Sequence, residues 1–171
     1  MEQSALEKLY HQHFNKTYRT AFLVTGDHQM AEDAAQEAFF KAFTNLDTLR
    51  DLEKFGPWVN VIASNLAIDM LRKKKKMIFT DNFSAHADRN PGNSPQEAWE
   101  KNEEAQEIRR ALLLLEPEER EILVLKYFNE LSINEISSII NVPQGTIKSR
   151  LFRARKKVRK LLQPQKDNQR L

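Results

Sequence analysis

Eight Lys or Arg and no acid lie between Gln144 and Leu162 of this 171-residue chain. At about 100° per residue, Ser149, Phe152, Arg153, Lys156 and Lys160 share one side of a helix, with Lys148 and Arg150 flanking it. Ile147, Leu151, Ala154, Val158 and Leu161 form the opposite, apolar stripe. A merely solvated helix face normally carries acids as i, i+4 partners. A face with none suits a polyanion, and the major groove of DNA above all. A second group, Asn65, Asp69 and Arg72, recurs at i, i+4 and i+7 and runs into the lysines 73–76, with Phe55 and Trp58 upstream. Two readings stay open for it: unstacked bases of a single strand with lysines on its phosphates, or lysines that match a helix dipole. The third group is Asp33, Gln36 and Glu37, at i, i+3 and i+4. As catalysts these carboxylates would need a pocket and a shifted pKa. The spacing offers a surface for a basic partner helix, or a solvated face.

Bond-making chemistry finds little support. The chain has no cysteine, which excludes disulfides and thiolate metal sites. His11 and His13, two residues apart, fall on different helix faces without a third ligand, and His86 stands alone. There is no phosphate-binding glycine loop and no acidic metal cluster beside the basic helices. Neither an enzyme nor a cofactor is expected. Net charge is only +3, but its distribution is uneven. Residues 96–135 hold eleven acids against five bases before the terminal helix reverses the sign. Two separated cationic sites on a nearly neutral chain imply two footprints on one long polyanion.

These groups need helices to position them. Ser132 and Glu135 read as a capping box; Ile133, Ile136 and Ile140 give the short helix behind it an apolar face. Asn141, tolerant of a left-handed backbone, and Pro143 end that helix before the basic one starts. Two helices joined by a tight turn, the second basic outside, have the helix-turn-helix layout. Upstream, Ser94-Pro95-Gln96-Glu97 predicts a helix start. Ala105, Ile108, Ala111, Leu112 and Leu115 continue that helix. Glu116-Pro117 starts another, with Ile122, Leu123, Leu125 and Tyr127 or Phe128 inward. In the first half, helices are expected over residues 3–24 and from Gln29 to about Leu46, the latter with a small-residue stripe at Met30, Ala34, Ala38 and Ala42. A bend at Phe55-Gly56-Pro57 precedes a helix with Val61, Ile62, Leu66, Ile68 and Met70 inside. The expectation is an all-α chain of two small helical domains, residues 1–76 and 95–163, with a flexible linker at 77–94 and a disordered tail at 164–171. No hydrophobic signal core and no apolar run near 18 residues is present, so a cytoplasmic protein is expected.

Several of these stretches, in this order, resemble an extracytoplasmic-function (group IV) sigma factor of bacterial RNA polymerase. AEDAAQEAFFKAF is similar to the family's region 2.2, FGPWVNVIASNLAIDMLRKKKK to regions 2.3 and 2.4, and LEPEEREILVLKYFNELSINEISSIINVPQGTIKSRLFRARKKV to region 4. The run VPQGTIKSRLFRAR is the most specific. The resemblance implies that Asp33, Gln36 and Glu37 contact the clamp coiled coil of the polymerase β′ subunit. It implies that Asn65 helps hold a flipped −10 base, with the Phe55–Trp58 loop in the same pocket. Asp69, Arg72 and Lys73 would sit against the strand being separated. Lys148, Ser149, Arg150, Phe152 and Arg153 match the −35 contact positions, with an AAC-type core, and Arg155, Lys156 and Arg159 would meet phosphates. The implied partners are polymerase core (β′ clamp and β flap), promoter DNA and an anti-sigma factor, often membrane-bound; the free chain would be a monomer. A linker too short for another domain, and no acidic N-terminal extension, imply the smallest class of the family. The rival on residues alone is a stand-alone DNA-binding regulator, which would bind DNA without polymerase and initiate nothing.

Overall fold

The computed structural model describes residues 3–80 and 101–163, with side chains to residue 78 in the first segment. Helix α1 (Gln3–Thr25) stops at Gly26, whose φ of +67° is the left-handed region that glycine enters without strain. A Cβ there would come 2.5 Å from the Leu113 side chain, so the turn also needs glycine for space. Asp27 caps α2 (His28–Thr44) by accepting from the Met30 amide at 2.8 Å. Of the expected small-residue stripe, Ala34, Ala38 and Ala42 are fully buried and joined by Ala31 and Ala35, while Met30 is half-buried. With so little side-chain bulk, α2 lies close against α1 and α3 (Phe55–Thr80). Tyr18, Phe22, Phe39 and Phe55 fill the remaining volume.

The expected bend moves upstream. Two short 3-10 turns, Leu46–Thr48 and Leu52–Lys54, make the corner. Phe55-Gly56-Pro57 form the first turn of α3 instead, where proline lacks no needed donor. Helix α3 also continues to Thr80, past the linker start expected at residue 77. The helix start expected at Ser94, His86, most of the linker and the tail from residue 164 lie outside the described residues.

The second segment opens with α4 (Glu103–Leu113), capped by Asn102, and α5 (Pro117–Leu123), which runs into a π turn at Val124–Phe128. Of the two aromatic residues offered as alternatives for the inward position, Phe128 packs inward and Tyr127 is exposed. The Ser132–Glu135 capping box starts α6 (Ile133–Ile140), both bonds being present. Asn141 takes φ 54°, the left-handed stop anticipated, and α7 (Gln144–Leu162) follows. Ile136, Ile147, Leu151 and Ala154 bury the helix-turn-helix seam against Ile122 and Leu125. Each such aliphatic side chain contributes about 1.5–3 kcal/mol by burial. Leu161, expected on the apolar stripe, is instead 45% exposed.

The two halves pack together. Val61 of α3 belongs to the second core, and Val124 to the first. Asn60 Nδ2 donates to Asn129 Oδ1 at 2.8 Å, and the Ser64 hydroxyl donates to Glu121 Oε1 at 2.6 Å, all four side chains buried. Arg120, 5% exposed, donates to the carbonyls of Leu112, Leu113 and Leu115 and, across the seam, to that of Val24. Burial of an arginine is tolerated because its fork of donors is satisfied by carbonyl oxygens.

Candidate nucleic-acid interface

Helix α7 presents the face that its period required. With Ile147, Leu151 and Ala154 turned inward, Lys148, Ser149, Phe152, Arg153 and Lys156 are exposed and Arg150 is half-buried. Phe152 is 65% exposed on this basic face, an apolar side chain with no core to fill. The Ser149 hydroxyl donates to the Gly145 carbonyl at 3.0 Å within its own helix. Two of the bases are tethered from below. Glu119, 6% exposed, accepts from Lys157 Nζ at 2.7 Å and lies 3.4 Å from Arg153 Nε. That carboxylate therefore sets where the Arg153 guanidinium can point. Arg155 Nη1 donates to the Tyr127 hydroxyl at 3.1 Å.

On α3, Asn65, Asp69, Arg72 and Lys73 form the exposed polar stripe that their spacing implied. Arg72 Nη1 lies 3.6 Å from Asp69, and Nη2 donates to Glu118 of α5 at 2.7 Å. That hydrogen bond is the main cause that holds the Glu118 carboxyl below the usual carboxylate range. Lys74 turns back to Asp27 at 3.7 Å. Trp58 is half-buried, its ring edge-on to Phe55 at 6.2 Å. Phe55 itself is fully buried, against His13, Phe39 and Phe43. The expectation of a −10 pocket wall at Phe55 is corrected: the ring can only brace Trp58 from behind. Packing of α3 on α1 draws it inside, and His13, half-buried beside it, has its pKa lowered by that burial.

On α2, Asp33, Gln36 and Glu37 are exposed together. Gln29 Nε2 donates to Asp33 at 3.0 Å, Gln36 Nε2 to Glu32 at 3.2 Å, and Lys41 lies 3.8 Å from Glu37. All three groups are thus held by neighbours on their own helix. Phe40, one turn on from Gln36, is 68% exposed on the same face. Among the described residues, no group of three or more His, Cys, Asp or Glu is placed to hold a metal ion.

Comparison with known proteins accounts for this arrangement. The model of Sigma-70 region 2 matches residues 9–77, and that of Sigma-70 region 4 matches residues 105–158. The chain is 36% identical over 169 residues to the ECF RNA polymerase sigma factor SigW of Bacillus subtilis, covering 94% of this chain and 90% of that one. The chain belongs to the ECF sigma factors. SigM of the same organism is 32% identical over 158 residues, covering 91% of this sigma factor and 94% of SigM. Its fold is shared with RpoE of Bartonella quintana, solved with the anti-sigma factor NepR, at a TM-score of 0.72 and 23% identity over 91% of this chain and 95% of that one. CnrH, solved with the cytosolic domain of CnrY, has a TM-score of 0.64 at 20% identity, over 94% of this chain and 89% of that one.

Two further residues stand beside these faces, Phe40 and Glu119. The spacing of Phe40, at i+3 from Glu37 and i+4 from Gln36, already requires it to share their face. Glu119 looked like one acid among eleven between residues 96 and 135. Nothing in its spacing distinguishes it, because its partners lie more than thirty residues further along α7.

Proposed function

We propose that this chain binds RNA polymerase core and directs it to promoters, with α7 reading the −35 element and α3 capturing the −10 strand. The carrying observation is the basic, acid-free outer face of α7, held out by its buried stripe in a chain matched by both Sigma-70 regions in the right order. Residues up to Thr80 act as the region 2 unit and residues from about 101 as the region 4 unit. Asp33, Gln36 and Glu37, with Phe40 among them, dock on the β′ clamp coiled coil. Lys148, Ser149, Arg150, Phe152 and Arg153 meet base edges, and Lys156 meets phosphate. A bidentate arginine on guanine contributes about 1–3 kcal/mol of discrimination. Asn65 and Trp58 hold an unstacked −10 base, whose flipping costs a few kcal/mol, while Asp69, Arg72 and Lys73 lie along the separating strand. No bond is made or broken by the chain itself.

The chain works in the cytoplasm, where polymerase and promoters are; among the described residues no helix is long and apolar enough to cross a membrane. An anti-sigma partner is favoured by a groove of about 540 Å³ floored by Leu23, Leu112, Val124 and Val158 and edged by Arg155 and Arg159. Such a groove suits the apolar face of a helix that carries acids at its margins.

Run-off transcription with polymerase core separates this reading from a stand-alone regulator. Wild-type chain should yield promoter-specific transcripts. Arg153→Ala should abolish −35-dependent initiation and leave core association intact; Asp33→Ala or Gln36→Ala should weaken core association instead. Specific DNA binding without any transcript would favour the regulator.

A further inference from the structure

Helix α7 carries eight Lys or Arg, and its packing does not treat them alike. Arg155 donates to the Tyr127 hydroxyl, whereas Arg153 and Lys157, one helical turn apart, share the Glu119 carboxylate. That carboxylate is 8% exposed beneath them, while Arg153 and Lys157 are 58% and 48% exposed. The three acids near the start of α5 go separate ways: Glu118 to Arg72, Glu121 to Ser64 and Glu119 to α7.

A carboxylate buried in the fold is a fixed point, whereas arginine and lysine stems are flexible. Arg153 Nε lies 3.4 Å from Glu119 Oε1, so the anchor takes the inner edge of the guanidinium. Because the guanidinium is planar and rigid, holding that edge also fixes the outer pair, Nη1 and Nη2. Among the described residues this pair has no hydrogen-bond partner. It is the pair that the O6 and N7 of a guanine take. Lys157 has no second edge to offer. Its Nζ is a single point that donates to Oε2 at 2.7 Å, where the carboxylate offsets its charge.

We infer that Glu119 is a positioning residue for base reading: it aims the outer edge of Arg153 at one base and withdraws Lys157 from the phosphates. This role rests on the proposed reading of α7 as the −35 helix. An untethered arginine reaches whichever phosphate is nearest, and phosphate contacts carry no sequence information. A tethered one meets its base with its side-chain freedom already given up. The carboxylate touches no DNA, yet it pairs two cations that would otherwise strengthen binding to any duplex. Glu119 therefore lowers non-specific affinity while it raises selectivity. An acid that only held the fold together would move both in the same direction.

That opposition of signs is the test. The full chain, assembled with bacterial polymerase core, selects by binding at low salt from a pool of duplexes of randomised sequence, and sequencing gives the preference at each position. Arg153→Ala marks the position that Arg153 reads, as the one it flattens. Glu119→Gln keeps the shape and removes the charge; it should reduce the preference at that position at least about fivefold and leave the others within about twofold. On a duplex of unrelated sequence, the free full chain with Glu119→Gln should bind more tightly than wild type at low salt. Its slope of log K against log salt should be steeper by about one. Lys157→Met leaves Arg153 its anchor, so it should preserve both the preferences and the slope; added to Glu119→Gln, it should remove the steepening. An unchanged preference in Glu119→Gln overturns the positioning, as does an equal loss at every position with weaker non-specific binding. A slope that falls by about one in Lys157→Met overturns the withdrawal of that lysine, even where Glu119→Gln does not fold. Wild-type chain that selects no sequence removes the promoter reading itself, and the slopes then still decide whether Glu119 withholds Lys157.

Discussion

The first three helices and the last four enclose cores held by different means. Between α1, α2 and α3 the order comes from volume: buried alanines bring backbones close, and Tyr18, Phe39 and Phe55 fill what is left. Between α4, α5, α6 and α7 an aliphatic cluster is present too, but it is pinned by polar groups at its corners, Arg120 on four carbonyls and the Ser132–Glu135 box at the turn. A core set by volume tolerates no extra methylenes. A core set by polar satisfaction fails when one donor is removed, because the acceptors left behind are dry. The first half therefore suits a rigid docking block, and the second a module whose recognition helix is aimed by a few charged contacts.

Arg120→Met tests the contrast most severely. It keeps an unbranched apolar stem, removes every donor and strands buried carbonyls of both halves, for an expected loss of about 3–5 kcal/mol in thermal or denaturant unfolding. A loss under about 1 kcal/mol would show that the second core is held by volume after all. Ala38→Leu is the mirror experiment at a fully buried site between helices. Overpacking there should cost about 1–3 kcal/mol. A neutral result would mean that the alanine stripe is not what sets the helix spacing. Ser132→Ala removes one half of the capping box and should cost about 1 kcal/mol, read as a lowered unfolding midpoint.

The smallest effect is electrostatic. Arg72→Gln should let the Glu118 pKa return toward the ordinary value, since the Arg72 hydrogen bond is the chief cause of its depression. A carboxyl lowered in the folded state contributes stability above its ordinary value and loses it as pH falls through the folded value. The variant should thus lose part of its stability near neutral pH and none at strong acid. With Arg72 56% and Glu118 34% exposed, the difference should stay below about 1 kcal/mol. Carboxyl titration followed by NMR should show Glu118 falling and Glu121, three residues on, rising from their common reference; equal behaviour of the two would remove the contrast between rim and seam.

How much could be read in advance follows the range of the interactions. The capping box at Ser132, the left-handed Asn141, the alanine stripe and the basic face of α7 rest on contacts within about one helical turn, and all were legible. Placement of the α3 corner failed by a few residues, because Gly56 and Pro57 are as compatible with a first helical turn as with a bend. Phe55 was misjudged for a related reason: an aromatic residue beside a corner has the same sequence context whether it turns inward or outward. Leu161 followed the stripe in period, yet it is exposed, since period alone does not say how far along a helix its partners reach.

Alone, the sequence determined the helical elements, the helix-turn-helix with its basic face, the acidic face of α2 and a resemblance strong enough to name a family. Each depends on residue type and on spacing along a single helix, which the chain carries explicitly. Only the tertiary structure decided that Arg120 closes on the carbonyl of Val24, that Asn60 meets Asn129, and that Glu121 meets Ser64 in place of a cation. Those partners are 96, 69 and 57 residues apart. No period links positions at such separations, since they meet only after two cores have formed and their faces have been pressed together.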